Sequence, residues 1–160
     1  MSTLYVDNLQ PNLGSRVMAA GHVVQMQHNT SYTSTQSTTA STWFDVSPSI
    51  TITPTSTSSK IYITHKAPVM CYQTSGNVFI RLLRDGTEIL QFGRFYQDIA
   101  ASDWSSFTVA PDWVDEPNTT SAVTYSFQMY WDGANGQLRH NNNTGSFTPQ
   151  CISTAWEIAQ

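Results

Sequence analysis

Charge is what this sequence has least of. Asp, Glu, Lys and Arg supply 11% of its 160 residues, less than half the roughly 25% of an ordinary globular protein. Seven basic side chains stand against eleven acidic ones, no stretch is basic, and the net charge is −4. Phosphate recognition needs a positive footprint, so no nucleic-acid partner is expected. Cysteine is nearly absent: Cys71 and Cys151 lie far apart and form no zinc-ligand pattern, which leaves one disulfide or two buried thiols. No apolar run approaches the roughly 18 residues of a membrane span, and no membrane partner is expected. The opening Met-Ser-Thr-Leu-Tyr-Val-Asp lacks a basic region followed by an apolar stretch. It does not read as a signal peptide, and synthesis and folding in a cytosol are expected.

Hydroxyls take the place of the missing charges. Serine (19) and threonine (21) together make a quarter of the chain, and 19 of them fall in the 30 positions from Thr30 to Ser59. That tract reads as a soluble loop with two threonine-rich strands. With 39% hydrophobic and 12% aromatic residues the chain can bury a core, which excludes a disordered tail.

The hydrophobic pattern has period two almost throughout. Val123, Tyr125, Phe127, Met129 and Trp131 alternate with Thr124, Ser126, Gln128 and Tyr130, as in a half-buried strand. Ile50 and Ile52 alternate with threonines, and Ile61 and Ile63 with Tyr62 and Thr64. Near the end Ile152, Trp156 and Ile158 share a parity opposed by Ser153 and Glu157, which assigns the large residues to the core. No window carries an apolar stripe at helical spacing. Asp85-Gly86 between two alternating runs predicts a hairpin with a type I′ turn. Asp132 to Gly136 reads as the longer loop of a second hairpin, joining 122–131 to 137–143. Prolines punctuate the remainder and are expected at strand ends. About eight to ten short strands result, which suggests an all-β, two-sheet antiparallel sandwich of jelly-roll type over residues 21–160.

Residues 1–20 read differently, as a short extended N-terminal arm. Leu4, Tyr5, Val6, Leu9 and Leu13 make it too apolar for a free tail and too short to fold alone. It is expected to pack on another surface, such as another subunit.

Several segments in this order resemble one family. They are Ser2-Thr-Leu-Tyr-Val-Asp-Asn-Leu-Gln-Pro11, Gly21-His22-Val23-Val24-Gln25, and the block Ile50-Thr-Ile-Thr-Pro-Thr-Ser-Thr-Ser-Ser-Lys60-Ile61. Leu82-Leu-Arg-Asp-Gly-Thr87, Asp115-Glu-Pro117 leading to Thr120-Ser-Ala-Val-Thr-Tyr125, and the terminal Glu157-Ile-Ala159 complete the set. Together they resemble small virion proteins of tailed bacteriophages, common in phages of marine bacteria and described as tail fibre or structural proteins. The resemblance implies a β-rich structural module, assembled as a homotrimer and located in the virion. It brings no catalytic motif.

The chemistry-bearing residues agree with that absence. His22, His28, His65 and His140 lie in different segments, and no Gly-x-Ser-x-Gly elbow exists for a serine nucleophile. His22 and His28 are too far apart along a strand to share a metal. His65 continues the Ile61–Ile63 parity as a core or interface histidine, or as one of a ring stacked about a trimer axis. Asp112, Asp115 and Glu116 read as turn acids, and no calcium loop is present. No cofactor, metal or enzymatic activity is expected. Of the five tryptophans, Trp131 and Trp156 share parity with core residues. Trp104 and Trp113, near Asp98, Asp103 and Asp112, suit either a subunit interface or a sugar, and the Asn141-Asn142-Asn143 run could add glycan contacts. The expected function is therefore a structural component of a tailed-phage virion, most simply a trimeric fibre or tail appendage with an outward-facing sandwich. The alternatives are a capsid decoration protein or a carbohydrate-binding receptor-recognition module. The expected partners are other copies and other virion proteins of tail or capsid, with a host surface glycan in the receptor-recognition reading.

Overall fold

In the computed structural model, residues 20–33, 35–37, 42–72, 76–98, 103–133, 137–140 and 150–160 are described. The arm residues Leu4, Tyr5, Val6, Leu9 and Leu13, and the amides Asn141 and Asn142, lie outside them.

Strict alternation sets the core. In the strand Val123–Trp131, all five odd-numbered side chains are buried while the intervening polar ones are half-exposed. The same rule holds in Lys60–Tyr72, where Ile61, Ile63, His65, Ala67, Val69 and Cys71 point inward. Asp85 and Gly86 both adopt positive φ, 49° and 82°, as a type I′ turn demands. The Asp85 carboxylate accepts a bond from the Thr124 N–H and so ties this turn to the strand beside it. Among the described residues the elements are eleven strands, slightly more than expected, and every pairing is antiparallel. They are β1 (Val23–Ser31), β2 (Thr35–Ser37), β3 (Phe44–Ile52), β4 (Lys60–Tyr72), β5 (Gly76–Arg84), β6 (Thr87–Gln97), β7 (Trp104–Val109), β8 (Asp112–Asp115), β9 (Val123–Trp131), β10 (Gln137–His140) and β11 (Cys151–Ile158).

The small sheet has the order β3-β9-β5-β6. The large one runs β1-β11-β4, after which both edges of β4 are used twice along its 13 residues. On one side β11 and then β10 pair with it, and β2 extends β10. On the other side β8 and then β7 pair with it. The pairs β1–β11, β3–β9, β4–β7/β8 and β5–β6 are nested in sequence and alternate between the sheets, which is the winding of a jelly roll.

Three expectations are corrected. The Asp132–Gly136 segment does not close a hairpin, because β9 lies in the small sheet and β10 in the large one. The chain turns across the sandwich beside buried Trp131: Gly133 packs so tightly on the indole that a Cβ there would come within 2.3 Å of it. Asp132 is also held by the backbone and side-chain amides of Asn77. Pro48 and Pro68 lie inside strands, but at breaks in the ladders. Pro48 falls in the β3 register shift between Val46 and Ile50, and Pro68 in the gap where β11 gives way to β10. Finally, β11 is inverted relative to its pattern. Its inward residues are Cys151, Ser153, Ala155 and Glu157, whereas Ile152, Trp156 and Ile158 lie on the outer face, half-buried. Cys71 and Cys151 are free and buried.

Candidate functional site

The inversion of β11 rests on a carboxylate that the fold accommodates. Glu157 is fully buried, and four donors converge on it. Ser59 Oγ (2.6 Å), the Thr55 backbone N–H and hydroxyl (2.7 Å each) and Gln25 Nε2 (2.7 Å) supply them. Burial works to raise its pKa, but the bonds from Ser59, Gln25 and Thr55 outweigh it and hold the group below its ordinary value. The hydroxyl tract thus includes a built carboxylate cradle.

Further along the same sheet two imidazoles stack, His65 on β4 and His140 on β10, with their Nε2 atoms 3.1 Å apart. The Ser153 hydroxyl donates to the Pro48 carbonyl (2.6 Å), so His65 Nδ1–H must donate to Ser153 Oγ (2.9 Å). A neutral His65 then has a bare Nε2, and His140 Nε2–H donates to it. Burial, with the neighbouring imidazole adding a smaller effect, pushes His65 down to about 3; burial pushes His140 down to about 4. His65 is a satisfied core histidine, stacked between Phe127 at 4.7 Å and His140 at 5.3 Å of its own chain. Burial also raises both thiols to about 12, so they are inert. Asp115, expected as a solvated turn acid, is half-buried and accepts bonds from Arg84 and the Tyr125 hydroxyl. No cluster of three His, Cys, Asp or Glu able to hold a metal occurs among the described residues.

The outer faces of the two sheets differ. Residues paired directly across strands share a face, and the large sheet's outer face carries the row Met26–Trp156–Tyr62–Val114 across β1, β11, β4 and β8. Val23 and Ile158 form the adjoining pair, and Tyr62 stacks on Trp156 at 5.3 Å. Val23 and Met26 are more than half exposed, at 58% and 54%. At the far end of β4, Trp104 stacks on Tyr72 at 4.2 Å, with the Arg139 guanidinium 4.8 Å from its ring.

The small sheet's outer face is polar, with Thr51, Thr124, Ser126, Gln128 and Arg81, but one aromatic row crosses it. Trp43, just before β3, packs on Tyr130 of β9 at 5.3 Å, and Tyr130 meets Phe79 of β5 edge-on at 5.5 Å. One position along lies the polar row Asp45–Gln128–Arg81–Gln91. A pocket of about 310 Å³ opens among Trp43, Phe79, Tyr130 and Gln91. The pattern carried a signal for it: Tyr130 and Phe79 are aromatics at outward positions of otherwise polar strand faces.

Trp104 and Trp113 are exposed but are not brought together. Trp104 opposes Tyr72 on the outer face, whereas Trp113 opposes inward Ile63 and lines a groove of about 460 Å³ at the open flank with Leu90, Phe92 and Phe95. Asp112 accepts from the Tyr62 hydroxyl, and Asp103 from the Trp104 backbone N–H.

No protein-family model matches the chain, and no curated protein matches it. Among solved structures it is similar to a chain of the infectious bursal disease virus Gx strain, with 12% identity and a TM-score of 0.42 over 98% of this chain. It is also similar to the VP2 subviral particle of that virus, with 11% identity and a TM-score of 0.38, again over 98%. In both cases it spans about 42% of the length of the chain it matches.

Proposed function

We propose that this chain is a structural component of a tailed-phage virion, a homotrimeric fibre or tail-appendage protein. The observation that carries the reading is the apolar row Met26–Trp156–Tyr62–Val114, with Val23 and Ile158, on the large sheet's outer face, where it lies beside the polar row His28–Thr154–Thr64–Asp112. A sheet face in water is normally polar, and an apolar one marks a surface to be covered. The occupant is the same face of further copies of this chain, arranged with the large sheets turned toward a common axis. Three strands about 4.8 Å apart and paired over about 26 Å, with the four-residue β8 at half that length, present roughly 450 Å² per copy. The three faces together then remove roughly 1,350 Å², about 450 Å² for each of the three contacts, and Tyr72 and Trp104 add to it. The sequence resemblance supports the trimer and the virion setting. Residues 1–20, with Leu4, Tyr5, Val6, Leu9 and Leu13, serve as the arm that holds the assembly to neighbouring virion protein.

Light scattering on the purified protein tests the assembly, with three times the 17.8 kDa chain mass expected. Gold-labelled antibody on phage particles tests the location. Label on the tail is the expected result, label on the head would replace the appendage with a decoration protein, and unlabelled intact particles would overturn the virion role.

A further inference from the structure

We infer that the outer face of the small sheet carries a binding site for a neutral saccharide, centred on Trp43, Tyr130 and Phe79. A sugar ring has an apolar C–H face and a rim of hydroxyls, so its receptor needs an aromatic surface beside polar groups set at fixed positions. The register of four strands supplies both. The aromatic row Trp43–Tyr130–Phe79 forms the floor, and the polar row Asp45–Gln128–Arg81–Gln91 runs beside it, about 7 Å away along the strands.

The polar row is organised without a ligand. Arg81 donates from Nε and Nη2 to the Gln128 amide oxygen and from Nη1 to Glu88 Oε2 at 2.9 Å. Gln128 Nε2 donates in turn to Asp45 Oδ1 at 2.7 Å. The Arg81 guanidinium also lies over the Trp43 ring, 4.3 Å from its centroid, and steadies the indole from one side. Gln91 is exposed and lines the pocket, where its amide can both donate to and accept from a hydroxyl. One cation between two carboxylates leaves no surplus of positive charge, which selects a neutral sugar over a uronic acid or sialic acid. At about 310 Å³ the pocket is at the lower end of the range for small-molecule sites, as a mono- or disaccharide requires. The site lies on the opposite side of the sandwich from the apolar face, so assembly through the large sheet leaves it open.

The test is saturation-transfer NMR titration of the full chain with maltose, cellobiose, lactose and N,N′-diacetylchitobiose, with digalacturonate as the charged comparison. Saturable binding of at least one neutral disaccharide is expected in the millimolar range, about −4 kcal/mol, with none for digalacturonate. Trp43→Ala is expected to weaken it at least about tenfold, and Trp104→Ala to leave it unchanged. Gln91→Ala, at an exposed position, weakens it several-fold and serves where the tryptophan variant fails to fold. Lack of binding by any neutral disaccharide overturns the inference, as does unaltered affinity in folded Trp43→Ala and Gln91→Ala. The site does not depend on the virion reading: a monomeric protein that binds sugar keeps the site and loses the assembly, and a sugar-blind trimer does the reverse.

Discussion

The small sheet follows the ordinary rule for a sandwich, and the large sheet departs from it on both faces. Inside, the small sheet contributes Val46, Ile50, Ile52, Val78, Ile80, Leu82, Val123, Tyr125, Phe127, Met129 and Trp131, and outside it is polar except for one aromatic row and for Leu83 and Tyr96. Of the buried polar groups, His65, His140, Ser153, Thr154 and Glu157 belong to the large sheet, whose outer face carries Val23, Met26, Trp156 and Val114 beside the polar row His28–Thr154–Thr64–Asp112. A strand that turns Ile152, Trp156 and Ile158 outward while sinking a glutamate has its apolar surface placed for a partner. In the proposed assembly the two sheets do different work: the large one faces neighbouring copies, and the small one faces solvent.

Charge placed on the two outer faces should separate them most clearly. Met26→Glu with Val114→Glu is expected to reduce the native mass to that of one chain, whereas Ser126→Glu with Thr124→Glu should leave it unchanged. Light scattering with a thermal melt distinguishes dissociation from unfolding. Equal behaviour of the two pairs would remove the contrast.

The interior of the large sheet provides the next effect. Glu157→Ala leaves four donors without an acceptor, of which Ser59 is buried and the Thr55 and Gln25 groups can turn to water, at a cost of about 2 kcal/mol, which in a chain of this size lowers Tm by about 4–8 °C. A loss below about 1 kcal/mol would mean that the cradle relaxes around the gap. At the surface, Glu116→Ala breaks the exposed Lys60–Glu116 pair, and less than about 1 kcal/mol is expected.

Acid should act through the same interior. Both histidines have folded pKa values, about 3 and about 4, below the unfolded 6.5. Between pH 6.5 and 4 the unfolded chain binds more protons, and stability falls as pH falls, by up to about 1.4 kcal/mol per pH unit for each imidazole. Glu157, held below its ordinary value, contributes stability above the usual carboxylate range and loses it as pH drops through its folded pKa. All three terms have the same sign, so denaturant melts should show lability on the acid side. His140→Leu should flatten the slope between pH 6.5 and 4.5 by about half, and an unchanged slope would place the titration elsewhere.

Much of the small sheet was legible in the sequence because its chemistry is one-sided. The alternation of Val123 to Trp131 and the Asp85-Gly86 turn each translate directly into structure. The same logic assigns Trp156 inward, and it fails in β11, where Ser153 and Glu157 face inward and find hydrogen-bond partners there. The nested pairing of strands far apart in sequence leaves no local signature, which is why Asp132 to Gly136 read as a hairpin loop. His140 and Trp43 gave no sign of their partners, since His65 and Tyr130 reach them only through strand register.

Hydroxyl-radical footprinting of the native, full-length protein tests the central claim most directly. In a single chain Met26 is 54% exposed, and as a methionine it should oxidise readily. Met26 and Trp156 are expected to be protected while Trp43 and Tyr130 are labelled. Oxidation of Met26 and Trp156 as fast as Trp43 and Tyr130 would show that the large sheet's outer face is open to water, and would contradict that claim.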